Sequence, residues 1–134
     1  MRTVETSARR ATALPWLLLL YCGTSLLHFA HNAEFLADYP NLPPWLSPSW
    51  IYLVWCGITA VGVVGYLLYR RGHETVGIAV LSAYAVAGFD GLLHYGRAPF
   101  HTHTSMMNFT IWAEVASAAL LLMLLIGMAR RIAP

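Results

Sequence analysis

Lysine is absent from this chain, and all eight basic residues are arginine. Charged side chains are only 10% of the 134 residues, while 58% are hydrophobic. Soluble domains carry about 25% charged and about 45–50% apolar residues, so the scarcity of charge points to a membrane protein. The formal net charge of +2 is small and scattered, which excludes a basic surface for nucleic acid. Cysteine is scarce too: Cys22 and Cys56 both sit inside apolar runs, and there is no CxxC. That argues against a disulfide framework or a thiolate zinc site. Both cysteines are expected to be small buried hydrophobes.

A good cleavage site for a secretory leader is also missing. Ala30 and Ala33 have His28 and His31 at the −3 positions, so the first apolar stretch is expected to be an uncleaved span. The length suits one domain.

What the chain has is apolar runs. Four stand out, at about 13–33, 50–69, 75–95 and 105–128. Each is near the ~20 residues that cross ~30 Å of hydrocarbon. The runs are continuous rather than alternating, which favours helices whose backbones satisfy themselves. The expected fold is an all-α four-helix transmembrane bundle of up-down topology. Arg2, Arg9 and Arg10 precede the first span, Arg70 and Arg71 lie between the second and third, and Arg130 and Arg131 follow the fourth. Seven of eight arginines then share one side, which is cytoplasmic by the positive-inside rule. Both termini are expected there, in a bacterial inner membrane. Only Arg97 lies opposite.

Proline is concentrated. Four of seven prolines, Pro40, Pro43, Pro44 and Pro48, fall in the first outward loop and favour a stiff cover. In the third span, Ala79, Ala83, Ala87 and Gly91 recur every four residues. Such a stripe is expected to let helices approach closely. Beside it run Ser82, Asp90 and His94.

The scarce polar residues converge. His28, His31, Asn32, Glu34 and Asp38 end the first span, and Asp90 and His94 end the third. Arg97, His101 and His103 occupy the second outward loop. Met106, Met107, Asn108 and Glu114 open the fourth span from the same side. Five of six histidines and four of six acidic residues therefore share one layer. His28 and His31 share a helical face, as do Asp90 and His94. Glu114 is the deepest acid, and an intramembrane carboxylate is costly without a partner or a function.

Imidazoles and carboxylates on facing helices are how bundles build metal sites. The expected metal ligands are His28, His31, His94, His101, His103 and Asp90. Copper is favoured by the nearby thioethers, with iron or zinc as alternatives. Glu114 and Asp90 are the candidate catalytic groups, moving protons if the site is catalytic. A second expectation is haem b held by His28 and His94, with Gly23 and Gly91 making room. A third is a metal-free pocket for quinone or another apolar ligand, with Glu34, Asp90 or Glu114 as acid or base. Its aromatic walls would be Phe29, Phe35, Tyr95 and Trp112. A fourth is an accessory subunit of a larger membrane complex, or a homo-oligomer, without catalysis.

Overall fold

A computed structural model describes the backbone of residues 2–132 and the side chains of residues 12–132. The side chains of Arg2, Arg9 and Arg10, used above for orientation, lie outside that range. Helix α1 spans Arg2–Glu34, α2 spans Pro48–Arg70 and α3 spans Glu74–Ala87. A 3-10 turn at Asp90–Leu92 leads into the short helix α4, Leu93–Arg97. Helix α5 spans Ser105–Ile132.

The elements form a four-helix bundle. Helix α1 packs on α2 and α5, and α3 packs on the same two helices. Each long segment is long and apolar enough to cross a membrane: Thr12–Glu34, Pro48–Arg70, Glu74–Arg97 and Ser105–Ile132. The outer faces suit hydrocarbon, because Leu19, Val61, Val64, Val86, Leu120 and Met123 are exposed there.

Local sequence explains where the helices start and turn. Ser47 caps α2 by accepting the Trp50 N–H at 3.4 Å, with Pro48 next, where no N–H is needed. The link from α2 to α3 is a Schellman-type turn. His73 N–H reaches back to Leu68 O at 3.0 Å, and Gly72 takes φ 88°, which suits glycine. Thr104 caps α5 by accepting the Met107 N–H at 3.2 Å.

Two features differ from the sequence expectation. First, the third span is not one helix. Gly88 N–H bonds to Ala85 O at 3.2 Å and Phe89 N–H to Val86 O at 3.1 Å, so the ladder tightens and α3 ends. The Tyr84 carbonyl accepts the Tyr21 hydroxyl of α1 at 3.1 Å instead. A Cβ on Gly88 would lie 2.6 Å from Tyr21 Cε2 and 2.7 Å from Ala118 Cβ, so only glycine lets α1 and α5 close on the break.

Second, the close helix contacts are not made by the alanine stripe. Ala79 and Ala83 are exposed. Gly62 faces the Tyr84 ring, Gly65 faces Leu81, and Gly77 sits against the Tyr69 backbone, where a Cβ would meet nitrogen at 2.5 Å. Glycines on both sides of the α2–α3 contact thus do what the alanines were expected to do. Cys22 is half-buried and Cys56 exposed, both as free thiols, so neither is the buried hydrophobe expected.

The apolar core, with Leu14, Tyr21, Leu81, Leu121 and Leu125, fills the half of the bundle nearer the arginines. The other half holds the polar layer, and is called the histidine end below.

Candidate functional site

His28 sits on α1 six residues before the helix ends, and Glu114 sits nine residues into α5. Their chains cross at the same depth. His28 Nε2 lies 3.7 Å from Glu114 Oε2, and the two residues are 1% and 0% exposed. Neither carboxyl oxygen of Glu114 makes a hydrogen bond. This buried His–Glu pair is the centre of the layer.

The rest of the layer fixes the protonation of His28. Thr110 Oγ1 donates to Met107 O at 3.0 Å, so it is an acceptor towards His28 Nδ1, 3.4 Å away. His28 therefore carries its proton on Nδ1 and presents a lone pair on Nε2. That lone pair accepts from Asn32 Nδ2 at 3.0 Å. The same amide nitrogen lies 3.4 Å from His94 Nε2. Asn32 thus bridges two imidazoles whose rings meet edge to face, centroids 5.5 Å apart. The α-helical spacing of His28 and Asn32 puts both on one face of α1. His94 reaches them from the short helix α4, beyond the end of α3 and the 3-10 turn.

Gly91 lies directly over the pair. A Cβ there would lie 3.5 Å from His28 Nε2 and 3.7 Å from Glu114 Oε2, with Ile111 Cγ2 at 3.4 Å. Beside it is a cavity of about 160 Å³. Its polar wall is His28, Asn32, Asp90 and His94, and its apolar wall includes Phe29, Leu46, Ile51 and Val54.

Outside this centre stand Tyr39, His103 and His31. The Tyr39 and His94 rings are 5.0 Å apart. Tyr39 is 4% exposed, and burial pushes its hydroxyl up to about 12, with the Thr110 side chain pulling the other way. Its hydroxyl lies 2.8 Å from His31 Nδ1, and His31 also stacks on Phe35. His103 is buried, 6.2 Å from His94 ring to ring. Its Nδ1 donates to Pro99 O at 3.1 Å, which leaves Nε2 as an acceptor without a partner.

Of the residues expected in the site, His28, His94, Asp90 and Glu114 are brought together, with His103 against His94. His31 joins only through Tyr39. His101 is exposed in the turn Phe100–Thr102. Glu34 is exposed and accepts from Tyr52 at 3.0 Å. Met106 is exposed, and the Met107 sulfur accepts the Thr104 N–H at 3.4 Å, so the methionines do not join the imidazoles. Arg97 donates to Asn41 O at 3.4 Å rather than to an acid.

Tyr39 and Thr110 are the residues whose importance the sequence did not reveal, whereas Asn32 was already placed in the layer. The signal for Thr110 was its place one turn before Glu114, on the same face. Nothing in the sequence marked Tyr39.

Among the described residues, no group of three or more His, Cys, Asp or Glu side chains is placed to hold a metal ion. The layer in this arrangement is a hydrogen-bonded acid–base network. Compared with known proteins, the chain matches no family model, no curated protein and no solved structure, so its own side chains are the guide to what it does.

Proposed function

We propose that this is a multi-pass membrane protein with a small-ligand site at the histidine end, where His28, backed by Glu114, exchanges a proton with the bound molecule. The observation that carries this is the 3.7 Å approach of two fully buried acid–base groups beside a cavity of about 160 Å³. Such groups in a span are functional or partnered, and here each is the other's neighbour. The placement of the arginines supports a reading in which both termini are cytoplasmic, in a bacterial inner membrane, and the cavity faces outward. In this reading His28 acts on the ligand with Glu114 behind it, Asn32 and Thr110 set the His28 tautomer, and Asp90 and His94 line the approach.

A copper site, or one for zinc or iron, is the second reading. One observation favours it: His28 Nε2 and His94 Nε2 converge on a single point, the Asn32 amide nitrogen. Rotation of that amide away would leave two imidazole nitrogens and the Glu114 carboxylate around a shared centre. Haem b suits the geometry less. The 5.5 Å between the two rings is taken up by the Asn32 amide, and Ile111, His28 and Glu114 border Gly91.

The test uses protein purified in mild detergent. Copper, zinc and iron are measured first. The melting temperature is then screened against compounds with one polar group on a short apolar body. The small-ligand reading expects substoichiometric metal and a compound that raises Tm in the wild type but not in Val54→Trp, which fills the cavity. One equivalent of copper, lost in His94→Ala, would install the metal reading in its place. No Tm shift with any compound, and no metal, would sink both.

A further inference from the structure

We infer that the ligand of this site is a small primary amine, bound as its ammonium form with its N–H groups on Asn32 and Asp90. The inference rests on the small-ligand reading above and names the ligand's chemical class.

The argument is a count of donors and acceptors. Buried polar groups are expected to be hydrogen-bonded. Two atoms of the cavity wall are not: Asn32 Oδ1 and Asp90 Oδ1. Asn32 is 8% exposed, so its free carbonyl is enclosed. Behind the wall, next to Gly91, the Glu114 oxygens are also without partners, and so is His103 Nε2, but none of these atoms lines the cavity. The two on the wall both accept. The donors of the network are already used: Asn32 Nδ2 on two imidazoles, Thr110 on Met107 O, and His103 Nδ1 on Pro99 O. The Ser25 hydroxyl beside Glu114 has no other partner and is placed to donate to that carboxyl. Elsewhere, Trp55 Nε1 and Thr59 Oγ1 on α2 are also unpaired, but neither lines this cavity.

A ligand that completes this set brings donors and no acceptors. An ammonium group has three N–H donors and none of the lone pairs that a quinone or carboxylate would turn towards these oxygens. An anion would meet Asp90 head on. An alcohol brings a single donor. Positive charge also suits the Asp90 carboxyl on the wall, and the nearby cation, Arg97, is exposed and turned to Asn41 O. Phe29 on the wall adds a ring face for a cation.

Size limits the body of the molecule. A cavity of about 150 Å³ accepts benzene, and this one is about 160 Å³. Leu42, Leu46, Ile51 and Val54 give that body an apolar seat.

The experiment compares benzylamine, benzyl alcohol, toluene and trimethylbenzylammonium by calorimetry and by Tm, on full-length protein in detergent at neutral pH. Benzylamine is expected to bind, and the other three to bind about tenfold or more weakly, the scale of one lost charge-assisted hydrogen bond. Asp90→Asn and Asn32→Leu each weaken benzylamine, while Glu34→Gln, at an exposed acid outside the cavity, does not. If Asn32→Leu fails to fold, Asp90→Asn carries the comparison. Equal binding of the alcohol, blocked by Val54→Trp, overturns the amine and leaves the small-ligand reading intact. Equal binding of trimethylbenzylammonium also overturns it, because charge without N–H donation would suffice. If no probe binds, the amine proposal falls, and the wider compound screen decides the reading beneath it.

Discussion

Asn41 and Arg97 grip each other across the histidine end. Asn41 Nδ2 donates to Arg97 O at 2.9 Å, and Arg97 Nη1 donates to Asn41 O at 3.4 Å. Asn41 takes φ 57°, a conformation that asparagine tolerates better than most residues. The contact ties the proline-rich loop to the end of α4, next to Leu42 on the cavity wall. Both residues are exposed, so the bonds are worth about 0.5–1.5 kcal/mol each at most. Arg97→Ala is therefore expected to lower stability by about 1 kcal/mol or less. It should speed amide exchange at residues 41–47. Unchanged exchange there would mean that the grip does not hold the loop.

Gly91→Ala separates site from scaffold. The added methyl meets its neighbours at 3.4–3.7 Å, which is ordinary contact. Stability should hold or rise by roughly 0.4–1 kcal/mol, because alanine narrows the unfolded ensemble. The methyl nevertheless sits over His28 Nε2 and Glu114 Oε2. Ligand binding should fall while Tm without ligand stays level. A variant that binds as well as the wild type would place the ligand away from Gly91.

Tyr21→Phe tests the break in the third span. It strips the Tyr84 carbonyl of its donor while keeping the ring that packs on Gly88. A cost of about 0.5–2 kcal/mol is expected, since hydrogen bonds within membranes are of modest strength. Gly88→Ala should cost more, about 1–3 kcal/mol, through overpacking against Tyr21 and Ala118. Unfolding in mixed detergent micelles measures both. The reverse order would show that the hydrogen bond, not the close contact, sets the break.

Asn108→Ala should free the loop that carries His103. Asn108 Nδ2 donates to Phe100 O at 3.4 Å and His103 O at 3.3 Å, while its Oδ1 accepts from Tyr95 at 2.7 Å. Without these bonds the chain after Arg97 loses its anchor, although Ala98 is buried in the intact protein. Trypsin is expected to cut after Arg97 faster in the variant than in the wild type. Equal rates would show that the loop is held by packing alone.

The four helices were legible because each is a continuous apolar run bounded by arginine, proline or glycine. The shared depth of His28, His94, Asp90 and Glu114 was legible for the same reason: few other positions were polar. The break at Gly88 was not. Glycine is common in membrane helices, and what makes Gly88 different is Tyr21, 67 residues earlier in the chain, which no local pattern reports. The alanine stripe misled because spacing shows that residues share a face but not which neighbour the face meets. The HTHTSMM run misled in the same way. His101 and Met106 turn outward while His103 and Met107 turn in, since a 3-10 turn and a helix cap separate them. Asn32 was legible by its four-residue spacing from His28, whereas Thr110 was not, because a neutral hydroxyl carries no signal until an imidazole is beside it.

The lopsided distribution of ionisable groups has a consequence for energetics. Between Glu114 and the arginines, the described core is Leu14, Tyr21, Leu81, Ala118, Leu121 and Leu125, with no carboxylate or imidazole among them. On that side the groups next to Glu114 are hydroxyls: Ser117 donates to Glu114 O at 2.9 Å and lies 2.6 Å from Thr24 Oγ1. Neutral hydroxyls, which need no counter-charge when buried, thus separate the His28–Glu114 pair from the apolar half.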